Sequence, residues 1–188
     1  VLAAGHVLRK DVEKPGQLVV PAMPHAGTVP YESGYRSVAR VLRNGAIYIG
    51  NLAALETWYA QVRRPLLEKT PHGKACLAGA LKQLAGARAE RLKRLDEVVA
   101  KLAAENRAAL DAALRAEHER VCAAWPAARA RLAAAGDVDC AEKTTFLAAW
   151  NAAKGDAYVA RVPGLPAAAK AAGTAWLQKI VESAGSPA

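Results

Sequence analysis

From Asn51 almost to the C-terminal end, leucine, valine and tryptophan recur every three or four residues in a background of alanine. Side chains at that spacing fall on one side of an α-helix, and a helix with one apolar side needs another element to cover it. The first stripe is Leu52, Leu55, Tyr59, Val62 and Leu66, with Asn51 as N-cap and Trp58 beside it. Pro65 bends or ends this helix, and Thr70-Pro71 opens the next. A long second helix is predicted over 73–104, striped by Leu77, Leu81, Leu84, Leu92, Leu95, Val99 and Leu102. A third, over 107–123, carries Leu110, Leu114 and Val121 and is broken at Trp125-Pro126, where a short helix to Ala135 begins. Gly136 is placed to close it in a left-handed turn. Asp139 and Glu142 have the spacing of a capping box for a helix through Trp150. A last helix spans 166–183.

Alanine favours helix but buries little area, so the 53% hydrophobic content overstates the core. Leucine and the four tryptophans must supply most of the burial, and Trp58 is expected between the first helix and the long second one. The expected fold is mainly α, an antiparallel bundle of five or six helices over residues 47–188. Residues 1–46 have no such period. Val/Leu pairs alternate with Gly5, Pro15-Gly16 and charged residues over 1–20, which suits brief strands. Residues 21–46 begin as a Pro/Gly-rich linker and lead into a short element.

The formal net charge is +9, all of it before residue 136, since residues 136–188 hold five basic and five acidic groups. Such a balance attracts phosphates and other anions, although ordinary solvated helix faces account for most of it. Cys76, Cys122 and Cys140 stand alone, which argues against disulfides and zinc and for buried thiols in a cytoplasmic protein. No apolar run reaches the roughly 18 residues of a membrane span. The four histidines are scattered, and no phosphate-binding loop, zinc-protease motif or nucleophile elbow is present, so no cofactor, metal or catalytic residue is assigned.

Gly5, Val7, Leu8, Lys10, Asp11, Val12, Gly16, Leu18, Val19 and Val20 form a phrase that resembles the closing coil of a hexapeptide-repeat left-handed β-helix. The following stretch, GYRSVARVLRNGAIYIGNLAALETWYAQVRRP, is similar to an uncharacterised bacterial family in which a long β-helix precedes a C-terminal helical domain of unknown function. The resemblance implies that residues 1–20 close an upstream β-helix of the same chain, and that the chain continues something longer. It implies no reaction. Acyltransferases of the hexapeptide type use a loop histidine, and neither His6 nor His25 lies in such a motif.

The chemistry that remains is concentrated between residues 31 and 64, which hold four of the five tyrosines. Tyr35, Arg36, Arg40, Arg43, Tyr59, Arg63 and Arg64 are the candidate ligand-binding residues. Guanidinium forks suit phosphate or carboxylate, and tyrosine adds a hydroxyl and a stacking face. The expected role is a non-catalytic cap on the β-helix that helps bind an anionic small molecule such as a sugar nucleotide or acyl carrier. Against it stands plain pairing of these arginines with Glu32, Glu56 and Glu68. A basic helical module for nucleic acid is the alternative, but no helix-turn-helix, zinc finger or RNA-binding motif supports it.

Overall fold

A computed structural model describes residues 17–20, 27–30, 38–104, 112–155 and 157–185. The chain divides into two units, Val1–Val38 and Ala39–Ala188. In the first, β1 (Gln17–Val20) and β2 (Gly27–Pro30) pair antiparallel, with Gln17 opposite Pro30 and Val20 opposite Gly27. Most of the expected closing coil, residues 1–16, lies outside the described residues.

The described part of the second unit is a succession of helices joined by short turns. α1 is Val38–Trp58, so the first helix begins well before Asn51. Its covered stripe is Leu42, Ala46, Ile49 and Ala53, each no more than 1% exposed. Leu55, placed on the core stripe by its spacing from larger residues, is instead 43% exposed. The alanines and glycines of α1 face inward because neighbouring helices lie too close for anything larger. A Cβ on Gly50 would fall 2.8 Å from the Val181 carbonyl oxygen, and one on Gly45 would fall 2.6 Å from Leu95.

At Tyr59–Arg63 the helix widens into a π-helical turn and continues as α2 (Arg64–Leu67). Pro65 therefore shifts the helix rather than ending it. It stands in the first positions of α2, where the preceding turn has already changed the bonding pattern and the missing N–H is tolerated. α3 is Gly73–Ala104, as the sequence pattern predicts. α4 is Ala112–Ala134 and runs through Pro126. The stripe His118, Val121, Trp125, Ala128 and Leu132 crosses that proline unbroken, so packing on both sides outweighs the lost hydrogen bond. Gly136 does not take the left-handed turn; among the described residues only Gly155 and Gly185 have positive φ.

α5 is Ala141–Ala152, with Cys140 at its N-cap and no side-chain capping bond. The expected capping box is not formed, because Asp139 bonds to Lys143 and Glu142 to Lys179. α6 (Tyr158–Gly164) occupies a segment that the sequence marks only by its glycines and prolines, and α7 is Ala167–Ser183.

The cross-contacts fix the directions of packing. Glu56 of α1 meets Arg88 of α3 while Gly45 meets Leu95, so these helices are antiparallel. Asp96 binds Trp125 and Arg129, and Arg88 reaches the Ala135 carbonyl, so α3 and α4 are antiparallel. Glu142 binds Lys179 while Phe146 faces Gly173, giving the same relation for α5 and α7. The helical unit is thus a bundle, with its largest buried side chains at Trp150, Trp176, Leu42 and Ile49.

Candidate functional site

The aromatic residues gather where the end of α1 meets α5, α6 and α7. Trp58 lies 5.4 Å from Phe146, 6.3 Å from Trp150 and 6.3 Å edge-on from Tyr158. Phe146 is in turn 6.0 Å from both Trp150 and Trp176. Trp58 is only half-buried, and its aromatic partners come from α5 and α6 rather than from the long α3 as the sequence suggests. Trp150 and Trp176 are 1% and 0% exposed, so this cluster is core and not a stacking platform. Its rim is held by cations. The Arg63 guanidinium sits 4.2 Å over Tyr158, and Arg161 lies over Trp150 while binding the carbonyls of Trp150 and Gly155 at the end of α5.

Beside the cluster, Asp137 accepts from Trp176 Nε1 at 3.1 Å, from Gln61 at 3.4 Å and from Lys143. Hydrogen bonds to Asp137 and Asp139 push Lys143 above the usual lysine value, and the bond from Lys143 pulls Asp139 down. The bond from Lys179 lowers Glu142 to about 2. These groups tie the Asp137 turn and α7 to α5. The shifts of Asp139, Glu142 and Lys143 all run away from neutrality, the opposite of what a general acid or base needs.

The described candidate ligand residues fall into two separate groups. Tyr35 and Arg36 lie outside the described residues. Arg40 and Arg43 are exposed in the first turns of α1. Tyr59, Arg63 and Arg64 lie beyond its other end, so the helix rise holds the two groups about 30 Å apart. Arg64 pairs with Glu68 at 3.9 Å, as an ordinary surface arginine would, and Arg63 is committed to Tyr158. Glu56, the other described pairing candidate, is taken by Arg88 at 2.7 Å.

What the candidate list lacks is the outer face of α1. Ile47, Tyr48 and Leu55 are 43%, 46% and 43% exposed on the side opposite the buried stripe. Below them α1 and α7 form an open groove of about 420 Å³, walled by Leu55, Trp58, Leu177 and Val181 with Asn51 and Gln178 at its polar edge. The Arg91 guanidinium lies 4.3 Å over the Tyr48 ring and props it at the rim. The signal was present in the sequence: VARVLRNGAIYIGNLAALETW is apolar on two sides, and a helix apolar on two sides asks to be covered on both.

Among the described residues no three His, Cys, Asp or Glu side chains come together as metal ligands, and no helix is long and apolar enough to cross a membrane. In comparisons with known proteins, no family model, no curated protein and no solved structure matches the chain.

Proposed function

We propose that the helical unit is a non-catalytic docking domain, which works by presenting the outer face of α1 to another protein surface. One observation carries this reading: α1 is apolar on two opposite faces, and the bundle covers only one of them. Exposed large apolar groups grouped on one helix beside a groove are a mark of an interaction surface. The left-handed β-helix that residues 1–20 resemble is one body that such a domain would cap. An anionic ligand held jointly by the described candidate arginines is no part of the proposal, because α1 separates Arg40 and Arg43 from Arg63 and Arg64.

The test is Ile47→Lys with Leu55→Lys in the full gene product. A covered face forces both charges into an apolar contact and lowers the melting temperature by roughly 5–10 °C. An unchanged melting temperature means that the face stays in water, and the docking reading fails.

A further inference from the structure

The groove between α1 and α7 is a slot with two distinct ends. Its walls run from Asn51 to Trp58 on α1 and from Thr174 to Val181 on α7, about two helical turns or about 10 Å each. Leu55, Trp58, Leu177 and Val181 supply the sides, and among the described residues no charged side chain lines it. Its volume of about 420 Å³ lies in the range of small-molecule sites. The two walls run in opposite directions, since Gly50 meets Val181 while Trp58 reaches Phe146, which packs on Gly173. A straight apolar slot of this kind follows the shape of a linear hydrocarbon chain, and covering such a chain removes its surface from water.

A cation stands at the Trp58 end. In the π turn the Arg64 N–H bonds the Tyr59 carbonyl, so residues five apart become neighbours along the helix. Arg63 thus follows Trp58, five residues on, on one side of the turn. Trp58 is 6.3 Å from Tyr158, and the Arg63 guanidinium lies 4.2 Å over that ring, which keeps it within about 10.5 Å of the indole. Stacking uses the flat face of a guanidinium and leaves its N–H edge, the part that holds a carboxylate through two parallel hydrogen bonds. Among the described residues no carboxylate takes that edge. Glu68 pairs with Arg64, and Asp137 accepts from Gln61 and Lys143. Arg161, the other cation of the rim, donates to the carbonyls of Trp150 and Gly155. One free fork matches a carboxylate, with its single charge and two oxygens, better than the nearly doubled charge of a phosphate monoester.

We propose that the slot and Arg63 together bind a linear aliphatic carboxylate, a fatty acid, with its chain between α1 and α7 and its head on the Arg63 edge. The site stands apart from the docking reading, because Ile47 and Tyr48 take no part in it. Leu55 is common to both, so the test leaves it untouched. Calorimetry of the 188-residue chain with decanoate, kept below micelle formation, then gives saturable binding of one molecule per chain. Octanoate binds more weakly, by about twofold to fourfold for each methylene removed. Decanol, which has the chain without the charge, binds at least about tenfold more weakly than decanoate. Arg63→Gln lowers decanoate affinity about tenfold and leaves decanol unchanged, a split that a merely structural role for Arg63 does not produce. Leu177→Trp fills the slot and abolishes binding of both, with helical circular dichroism unchanged. If that variant loses helix, the Arg63→Gln split between acid and alcohol decides instead. No saturable binding of decanoate overturns the proposal, as does equal affinity for acid and alcohol. Decanoate binding that survives Arg63→Gln also overturns it, since that is attraction to the +9 surface at large. None of these results touches the docking reading, which Ile47→Lys with Leu55→Lys decides by itself.

Discussion

The two faces of α1 are built from similar letters and do opposite things. The inner face packs Leu42, Ala46, Ile49 and Ala53 to no more than 1% exposure, with Gly45 and Gly50 letting neighbouring helices approach. The outer face carries bulkier groups, Ile47, Tyr48 and Leu55, and leaves more than two fifths of each in water. Size therefore does not decide burial here. Glycine and alanine sit beside Leu42 and Ile49 inside, where helix backbones come close, and Ile47, Tyr48 and Leu55 remain outside, where no helix of the bundle covers them. The same contrast divides α7. Gly173, Trp176 and Ile180 are buried, Gly173 and Trp176 against Phe146 of α5, while Thr174, Leu177 and Val181 line the open groove.

The strongest way to break the inner side is at Trp176. The side chain is 0% exposed and its indole N–H donates to Asp137. Trp176→Ala should cost about 3–5 kcal/mol, from the cavity and from the acceptor left without its donor. Denaturant melts compared at equal m-value would show it; a loss under about 1 kcal/mol would mean that the aromatic cluster collapses freely around the gap.

Gly50 comes next and tests whether close approach is the reason for a small residue. The atom that a Cβ would meet is a backbone carbonyl oxygen, which cannot swing aside as a side chain can. Gly50→Ala should therefore destabilise by about 1–3 kcal/mol, despite the better helix propensity of alanine. Gly79 and Gly86 of α3 have open space at the same test, so Gly79→Ala and Gly86→Ala should instead stabilise by up to about 1 kcal/mol. Equal effects at all three positions would mean that propensity alone rules.

Those glycines also show what was legible in the sequence. The long α3 and the last helix could be read from leucine, valine and tryptophan, because large apolar residues mark a stripe plainly. The start of α1 could not, because its stripe is largely alanine and glycine, which carry little hydrophobic signal. Pro65, expected to bend or end its helix, follows a π turn and the helix continues, and Pro126, expected to break its helix, lies within a continuous buried stripe, so tertiary packing prevails over the local rule. The described arginines separate for a geometric reason. Sequence proximity within 40–64 becomes distance once the intervening residues are helical. The outer face was written in the chain as Ile47, Tyr48 and Leu55, which carry no charged group of their own to mark a site.

On the outer side, Ile47→Ser with Leu55→Ser should change stability by only about 0.5 kcal/mol when measured at a dilution where the chain is monomeric. A loss of more than about 2 kcal/mol under those conditions would mean that these side chains are covered within the monomer. The comparison of the two faces would then collapse.

The smallest effect appears only with pH, at the edge of the inner side where α5 meets α7. Lys179 donates to Glu142 at 2.7 Å and both side chains are partly exposed, at 43% and 34%. That bond lowers Glu142 from 4.5 to about 2, and it raises Lys179 above 10.5. A carboxyl whose pKa is lower folded than unfolded stabilises the fold fully above its unfolded value, and the contribution is lost as pH falls through the folded one. For a lysine whose pKa is raised, the contribution is present below the unfolded value and lost as pH climbs past the folded one. The pair therefore helps on a plateau between about pH 5 and pH 10 and declines on both sides. Glu142→Gln removes the bond to a charged partner and should flatten the acid limb between about pH 5 and pH 2, with little change elsewhere. Solvent screening at a partly exposed pair keeps the effect modest, and added salt should shrink it further. An acid limb of the same slope in wild type and Glu142→Gln would show that other carboxylates carry the acid response, and that this contact adds nothing to the α5–α7 seam.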